Sequence, residues 1–188
     1  MKQKEIEISI KDVEIKYLQT HPDHRGFFRE LIRSSDPFFK ATNDSNPSGF
    51  MQWSHSKMGK NTVKAWHFHH KQIDWWYIGL GVFDVHLIDN REESPTYRKH
   101  MNFKLGDAEN DAHEAIVKIP QGVLHGGKVT TNFAHLFYIT SEIYDPKDEG
   151  RLPFNSKDIG VDWGNEDELI VAPNDTKEFI PSYERAIL

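Results

Sequence analysis

Short apolar alternations bounded by turn residues are the feature of this sequence that most constrains its fold. Each segment has the length of a β-strand and is too short for a typical helix. The segments lie at 13–18, 27–32, 51–56, 63–69, 75–78, 82–88, 115–119 and 134–139. Turn signals such as Gly79-Leu80-Gly81 and Pro120-Gln121-Gly122 separate them. The pattern predicts an all-β sandwich or closed barrel, with a few short peripheral helices near 36–41 and 182–186.

Composition narrows the class of protein. The 188 residues predict a single domain, 1–188, without internal repeats. The chain has no cysteine, which excludes disulfides and thiolate metal ligands. Its first residues, MKQKEIEISI, lack a signal-peptide core, and no window approaches the roughly 18 apolar residues of a membrane helix. The formal charge is −6 without a basic block, which disfavours a nucleic-acid partner. We therefore expect a soluble, cytoplasmic protein.

A histidine run is the strongest signal of chemistry in the sequence. It reads WHFHHKQID at 66–74. Because alternate residues of a strand share a face, His67 and His69 point the same way, with Asp74 following closely. The turn at 120–122 leads to a third imidazole, His125. These residues predict one histidine-rich pocket.

The same residues resemble the two sequence motifs of the cupin superfamily, a family of β-barrels. The matching residues are His67, His69, Asp74 and Gly81 for the first motif, and Pro120, Gly122 and His125 for the second. The resemblance implies a metal site with His67, His69, Asp74 and His125 as ligands. Such a donor set suits a first-row divalent ion. The alternative is that these groups line a barrel mouth and serve a substrate or internal hydrogen bonds.

A more extended similarity runs from about Asp23 to Asp175. Its segments are DHRGFFRE at 23–30, KAWHFH at 64–69, VFDV at 82–85, IPQGVLHG at 119–126, YIT at 138–140, EG at 149–150 and IGVDW at 159–163. In this order they resemble the dTDP-4-dehydrorhamnose 3,5-epimerase family, a branch of the cupins. The resemblance implies a cupin, or jelly-roll, β-barrel. It also implies a homodimer in which an N-terminal strand is exchanged, and the apolar alternation at 6–10 could supply that strand.

The family epimerises carbons next to the C4 ketone of a nucleotide-linked 4-keto-6-deoxyhexose, without a metal. This chemistry needs a base, an acid on the opposite face and stabilisation of the enolate. The resemblance implies that His67 is the base, that Asp175 orients it and that Tyr138 is the acid. Expected substrate contacts are Arg25, Glu30, Gln52, Lys64 and His125. From the sequence alone, Tyr138 could equally be a core residue, Asp175 a solvated turn residue and Arg25 a structural turn residue.

Several positions depart from the family pattern. The family's oxyanion-holding lysine falls near Ile73 or Asp74 here, and only Lys71 could replace it from the loop. His69 stands where the family has glutamine, and Lys64 where it has arginine. We therefore expect a rebuilt pocket around an intact acid–base pair.

Three hypotheses follow. The leading one is an epimerase or isomerase of a nucleotide-linked 4-keto-6-deoxy sugar in carbohydrate or polysaccharide biosynthesis, with no cofactor. The second is a metal-dependent cupin enzyme that uses the four ligands. The third is a sugar-binding cupin without catalysis.

Overall fold

Two β-sheets packed face to face form the body of the protein. The computed structural model describes residues 5–40, 49–108 and 111–181. Sheet I has five strands, in the spatial order β1 (Glu14–Tyr17), β9 (Ala115–Ile119), β6 (Asp74–Leu80), β11 (Phe133–Thr140) and β4 (Gln52–Gly59). The order in sheet II is β12 (Glu149–Arg151), β5 (Thr62–His69), β10 (Val123–Val129), β7 (Val82–Asp89) and β8 (His100–Gly106). In sheet II, β13 (Ile170–Val171) also pairs with β5, in the parallel sense.

The remaining elements are small and peripheral. β2 (Thr20–Asp23) and β3 (Gly26–Arg29) form a separate hairpin. Short 3-10 helices lie at Pro37–Phe39, Glu166–Glu168 and Pro173–Thr176, and no helix of the described residues is long and apolar enough to cross a membrane. The prediction of an all-β jelly roll with short helices is confirmed. The helix expected near 36–41 is the 3-10 helix Pro37–Phe39, while the one expected near 182–186 lies outside the described residues.

The main core fills the space between the sheets. Strand alternation sends every second side chain inward. Trp76 and Leu136 of sheet I meet Phe83 and Leu87 of sheet II there, all nearly inaccessible to solvent. Trp75, one residue along, lies on the outer face of sheet I. The inward positions turn polar at one end of the sandwich, and a cavity opens there.

The chain after β12 covers the outer face of sheet II. Trp66 of β5 packs there against Trp163, with ring centroids 5.4 Å apart. The backbone groups of Trp66 and Leu152 exchange two hydrogen bonds of 3.1 Å. The amide of Phe154 then donates to the carbonyl of Asp175 over 2.8 Å. These contacts bring the helix at Pro173–Thr176 back beside β5.

Candidate active site

A cavity of about 550 Å³ opens between the two sheets. Its volume lies within the range of roughly 300–1,000 Å³ that is typical of small-molecule sites. Most of the site residues expected from the sequence line it. They are His67, Tyr138, Asp175, Gln52, Lys64, His125, His69 and Asp74.

His67 lies on β5 with a carboxylate against each ring nitrogen. Its Nε2 is 2.9 Å from Oδ1 of Asp175, and its Nδ1 is 3.0 Å from Oε1 of Glu149. Burial by itself lowers the pKa of His67, but the hydrogen bonds and charges of Asp175 and Glu149 outweigh it and raise the pKa above its usual value. Because a neutral imidazole has a single N–H, this arrangement favours the protonated ring.

Asp175 reaches His67 from the C-terminal segment. It lies on the 3-10 helix Pro173–Thr176, and its backbone N–H donates to the carbonyl of Ala172 over 2.9 Å. Although it follows a polar stretch of sequence, only 4% of Asp175 is exposed. It is thus not the solvated turn residue that its local sequence also allowed.

Glu149 also belongs to this site, although it was not predicted from the sequence. It lies on β12, where His69 is its register partner, and its Oε2 accepts a hydrogen bond of 2.8 Å from Arg151. Burial raises the pKa of Glu149, but the hydrogen bond to His67 and the neighbouring positive charges lower it to about 2. Glu149 and Gly150 belong to a segment that matches the epimerase family, and this was the available signal.

Tyr138 faces the cavity from the other wall. It lies on β11 of sheet I, whereas His67 lies on β5 of sheet II. It is half-buried and packs against the core between the sheets. The Nζ atom of Lys64 lies 5.4 Å from the centroid of its ring. The two expected proton-transfer groups therefore line one cavity from opposite sheets.

Three of the four metal ligands expected from the cupin motifs come together. One potential ligand atom from each of His69, Asp74 and His125 lies within 4.8 Å of the others, and all three residues are buried. Burial lowers the pKa of His125 to about 3, so this ring is neutral. Two imidazoles and a carboxylate suit a first-row divalent ion. His67 is not part of this group, because its two nitrogens face Asp175 and Glu149.

The remaining expected contacts divide into two sets. Gln52 and Lys64 line the cavity, as does His125, which lies on β10 rather than in the preceding turn. Arg25 and Glu30 do not line it. Arg25 is exposed and pairs with Asp23 over 2.6 Å, and Glu30 is exposed and pairs with Arg33 over 2.6 Å.

The cavity wall differs from the family pattern at the position of the family's lysine. Asp74 lines the cavity, whereas Lys71 and Ile73 do not. Among the described residues that line the cavity, the lysine and arginine side chains are Lys64 and Arg151. The Nη2 atom of Arg151 pairs with Glu149.

The chain is similar to known proteins over most of its length. The family model for dTDP-4-dehydrorhamnose 3,5-epimerase matches residues 7–180. The spore coat polysaccharide biosynthesis protein SpsL of Bacillus subtilis is 34% identical over 160 residues, which cover 84% of this chain and 98% of that protein. The dTDP-4-dehydrorhamnose 3,5-epimerase of Salmonella typhimurium is 32% identical over 162 residues, covering 84% of each. The crystal structure of dTDP-4-dehydrorhamnose 3,5-epimerase from Elizabethkingia anophelis superposes with a TM-score of 0.76 at 26% identity, covering 92% of this chain and 93% of that one.

Proposed function

Because the chain belongs to the dTDP-4-dehydrorhamnose 3,5-epimerase family and is a sugar-nucleotide epimerase, we propose that it moves protons next to the ketone of a nucleotide-linked 4-keto-6-deoxy sugar. In this proposal His67 is the base and Tyr138 is the acid. One observation carries it: His67 is held by buried Asp175 and faces the same cavity as Tyr138 from the opposite sheet. The name of one relative, a spore coat polysaccharide biosynthesis protein, supports a role for this reaction in polysaccharide biosynthesis.

The base step depends on which nitrogen of His67 is released. We assign Asp175 the orienting role, in which it accepts the Nε2–H and fixes the tautomer. Nδ1 then takes the proton from the carbon next to the ketone, and Glu149 has to leave this nitrogen when substrate binds. Arg151, 2.8 Å from the second oxygen of Glu149, can keep the displaced carboxylate paired.

The acid step completes the inversion. Tyr138 returns a proton from the wall opposite His67, so the proton arrives on the face of the carbon opposite to the one it left. Lys64, close to the ring of Tyr138, favours negative charge in this part of the cavity. These proton transfers need only an imidazole and a phenol, and no organic cofactor.

Solvent deuterium exchange tests the assignment. Nucleotide-linked 4-keto-6-deoxy sugars are incubated with the protein in D₂O, and deuterium next to the ketone is followed by NMR. His67→Ala should lower the exchange rate by about 10²–10⁴-fold, the usual contribution of a general base. Tyr138→Phe should still exchange but yield little inverted product, because the base alone returns deuterium to the original face.

Two exposed residues provide matched controls for this experiment. His70→Ala and Tyr97→Phe remove similar groups outside the cavity and should leave the exchange rate unchanged. The proposal fails if no such sugar exchanges, or if His67→Ala and His70→Ala behave alike.

We also propose that the chain acts as a homodimer in the cytoplasm. The β2–β3 hairpin exposes 60% of Phe27 and 67% of Phe28, a pair of apolar rings that a second copy could cover. Arg25 lies on the same hairpin outside its own chain's cavity, so contact with substrate requires a second copy or a different conformation. Residues 6–10, which were expected to form an exchanged strand, do not pair as a strand within this chain, and Ile10 packs into its core. The absence of cysteine fits a reducing compartment.

A further inference from the structure

We propose that His69, Asp74 and His125 bind one first-row divalent cation in the wall of the cavity, beside His67. The cation site and the His67 base would then coexist, although the sequence presented them as alternatives. The role that we give the cation, which is to hold the ketone oxygen of the substrate, rests on the proposed function. The binding of the cation does not.

The donor atoms converge without bonding to one another. Nε2 of His125 is 3.8 Å from Oδ2 of Asp74, beyond hydrogen-bond distance, and the rings of His69 and His125 stack with centroids 5.4 Å apart. Ligands that each lie about 2.0–2.2 Å from a zinc-like ion are about 3–4 Å from one another. The ligand atoms of the three residues lie within 4.8 Å of one another. The Gln72 amide nitrogen now lies 3.1 Å from Nε2 of His69 and 2.6 Å from Oδ1 of Asp74, so a bound cation would displace it. Three protein ligands also leave a position open for substrate.

His125 has the outer partner that a metal-bound histidine commonly has, and His69 has a carboxylate nearby that could become one. Nδ1 of His125 donates to the carbonyl of Val123 over 3.0 Å, which leaves Nε2 with the lone pair. Nδ1 of His69 is buried without a hydrogen-bond partner, and Oδ2 of Asp148 lies 3.9 Å from it. A ligating imidazole usually donates its other N–H to a carbonyl or carboxylate, and such partners fix the ring orientation. A small rotation of His69 toward Asp148 would give its Nδ1–H this outer partner.

Asp74 is a buried carboxylate that lacks a full positive partner. Only 4% of it is exposed, and its hydrogen bonds come from the neutral Gln72 amide at 2.6 Å and the Trp76 indole at 3.0 Å. Among the ion pairs of residues 5–40, 49–108 and 111–181, its partner is His125 at 3.8 Å and no lysine or arginine pairs with it. Leaving a buried carboxylate without a compensating cation is costly. A divalent cation would supply the missing charge.

The site is also where the reaction needs positive charge. Its three residues line the cavity that holds His67, and the rings of His67 and His125 have centroids 6.3 Å apart. An enolate places negative charge on the ketone oxygen, and Asp74 without a cation would oppose it. A cation bound there would polarise that oxygen as a Lewis acid.

Metal titration of the full chain tests the site directly. The protein is treated with a chelator, dialysed, and titrated with Zn²⁺ by calorimetry and with Co²⁺ by visible absorption. We expect one ion per chain. His69→Gln and Asp74→Asn should each weaken binding at least about 100-fold, since loss of outer partners alone costs roughly 10–100-fold. His70→Gln, at the exposed neighbouring position, and His67→Ala should keep the wild-type affinity.

The outcomes separate the cation from the proposed function. The site is overturned if the folded protein binds no cation. It is also overturned if the folded His69→Gln and Asp74→Asn variants bind with wild-type affinity. Either result would identify the cluster as a hydrogen-bonded wall bridged by Gln72. Loss of binding in His67→Ala overturns the three-residue ligand set. Full exchange activity in stripped protein overturns the role on the ketone oxygen while the epimerase proposal stands. Binding without exchange of any sugar leaves the site standing and removes the proposed function.

Discussion

His67 must be held in a fixed orientation and must also be neutral to act as a base, and these two requirements oppose each other. Asp175 and Glu149 hold its ring in place, and they also raise its pKa by stabilising the protonated form. Only the neutral ring can accept a proton. The basic form therefore accumulates as the pH rises through the raised pKa, and catalysis should fall on the acidic side of that value.

Replacing Glu149 by glutamine should shift the acidic limb of the pH profile, which is the pH range over which activity falls as His67 becomes protonated. Glu149→Gln removes one of the two negative charges, so the pKa of His67 falls and the base becomes available at lower pH. We expect a shift of about one pH unit toward acid, the lower end of the effect of a nearby opposite charge. The pH dependence of deuterium exchange measures it.

Glu168→Gln is the matched control for this substitution. Its carboxylate is exposed in the segment that covers sheet II, and its removal should not move the limb. A Glu149→Gln profile that coincides with wild type would contradict the assignment of Glu149 to Nδ1.

The residues of the site differ in how far the sequence could identify them. His67, Tyr138 and Asp175 stand at positions that match family motifs, and all three line the cavity. The burial of Asp175 could not be predicted, because it depends on the chain folding back over sheet II. Glu149 was missed because a three-residue strand has too little pattern to show which face its side chain takes.

At the scale of elements, apolar alternation located eight of the thirteen strands of the described residues, and β10 is among those it missed. All eight predicted segments overlap strands, whereas β10, with the sequence VLHGGKV, was expected only as the end of a turn. Glycine is disfavoured in strands, yet here it is required. A Cβ on Gly126 would lie 2.4 Å from that of Ala65, and one on Gly127 would lie 2.6 Å from the ring of Phe83. Close packing against neighbouring strands therefore determines the residues of β10, and the local sequence does not reveal that packing.

Gly150 of β12 is a place where packing controls the site. A Cβ there would lie 2.1 Å from the ring of Phe68, its register partner on β5. Gly150→Ala should lower the free energy of unfolding by about 1–3 kcal/mol, the usual cost of overpacking. It should also push β12 and Glu149 away from His67, and so move the acidic limb of the pH profile in the same direction as Glu149→Gln.

Urea unfolding, combined with the pH profile of exchange, checks this prediction. Gly59→Ala serves as the control, because a Cβ at Gly59 meets no atom within 4 Å. Equal stability of the two variants would show that β12 tolerates the added methyl group and would contradict the packing argument.

At the scale of the whole molecule, the β2–β3 hairpin should decide the assembly. We expect sedimentation velocity to give about twice the chain mass of 21.9 kDa. Replacing both Phe27 and Phe28 by serine should produce monomers and raise KM, because Arg25 would no longer reach a partner's cavity. Leu80→Ser, a change at a residue that is 48% exposed outside the hairpin, should leave the dimer intact. A fully active monomer, or dissociation by Leu80→Ser alone, would contradict this interface.

The C-terminal segment that covers sheet II has a consequence for biosynthesis. His67 and its orienting carboxylate are 108 residues apart in the chain. A nascent chain that has left the ribosome only as far as β12 carries its base and its acid, but not Asp175. Because β12 already pairs with β5, the segment that must still fold back is the one from β12 to Asp175. We therefore expect His67 to lack its orienting carboxylate until the segment that carries Asp175 has been made and has folded back over sheet II.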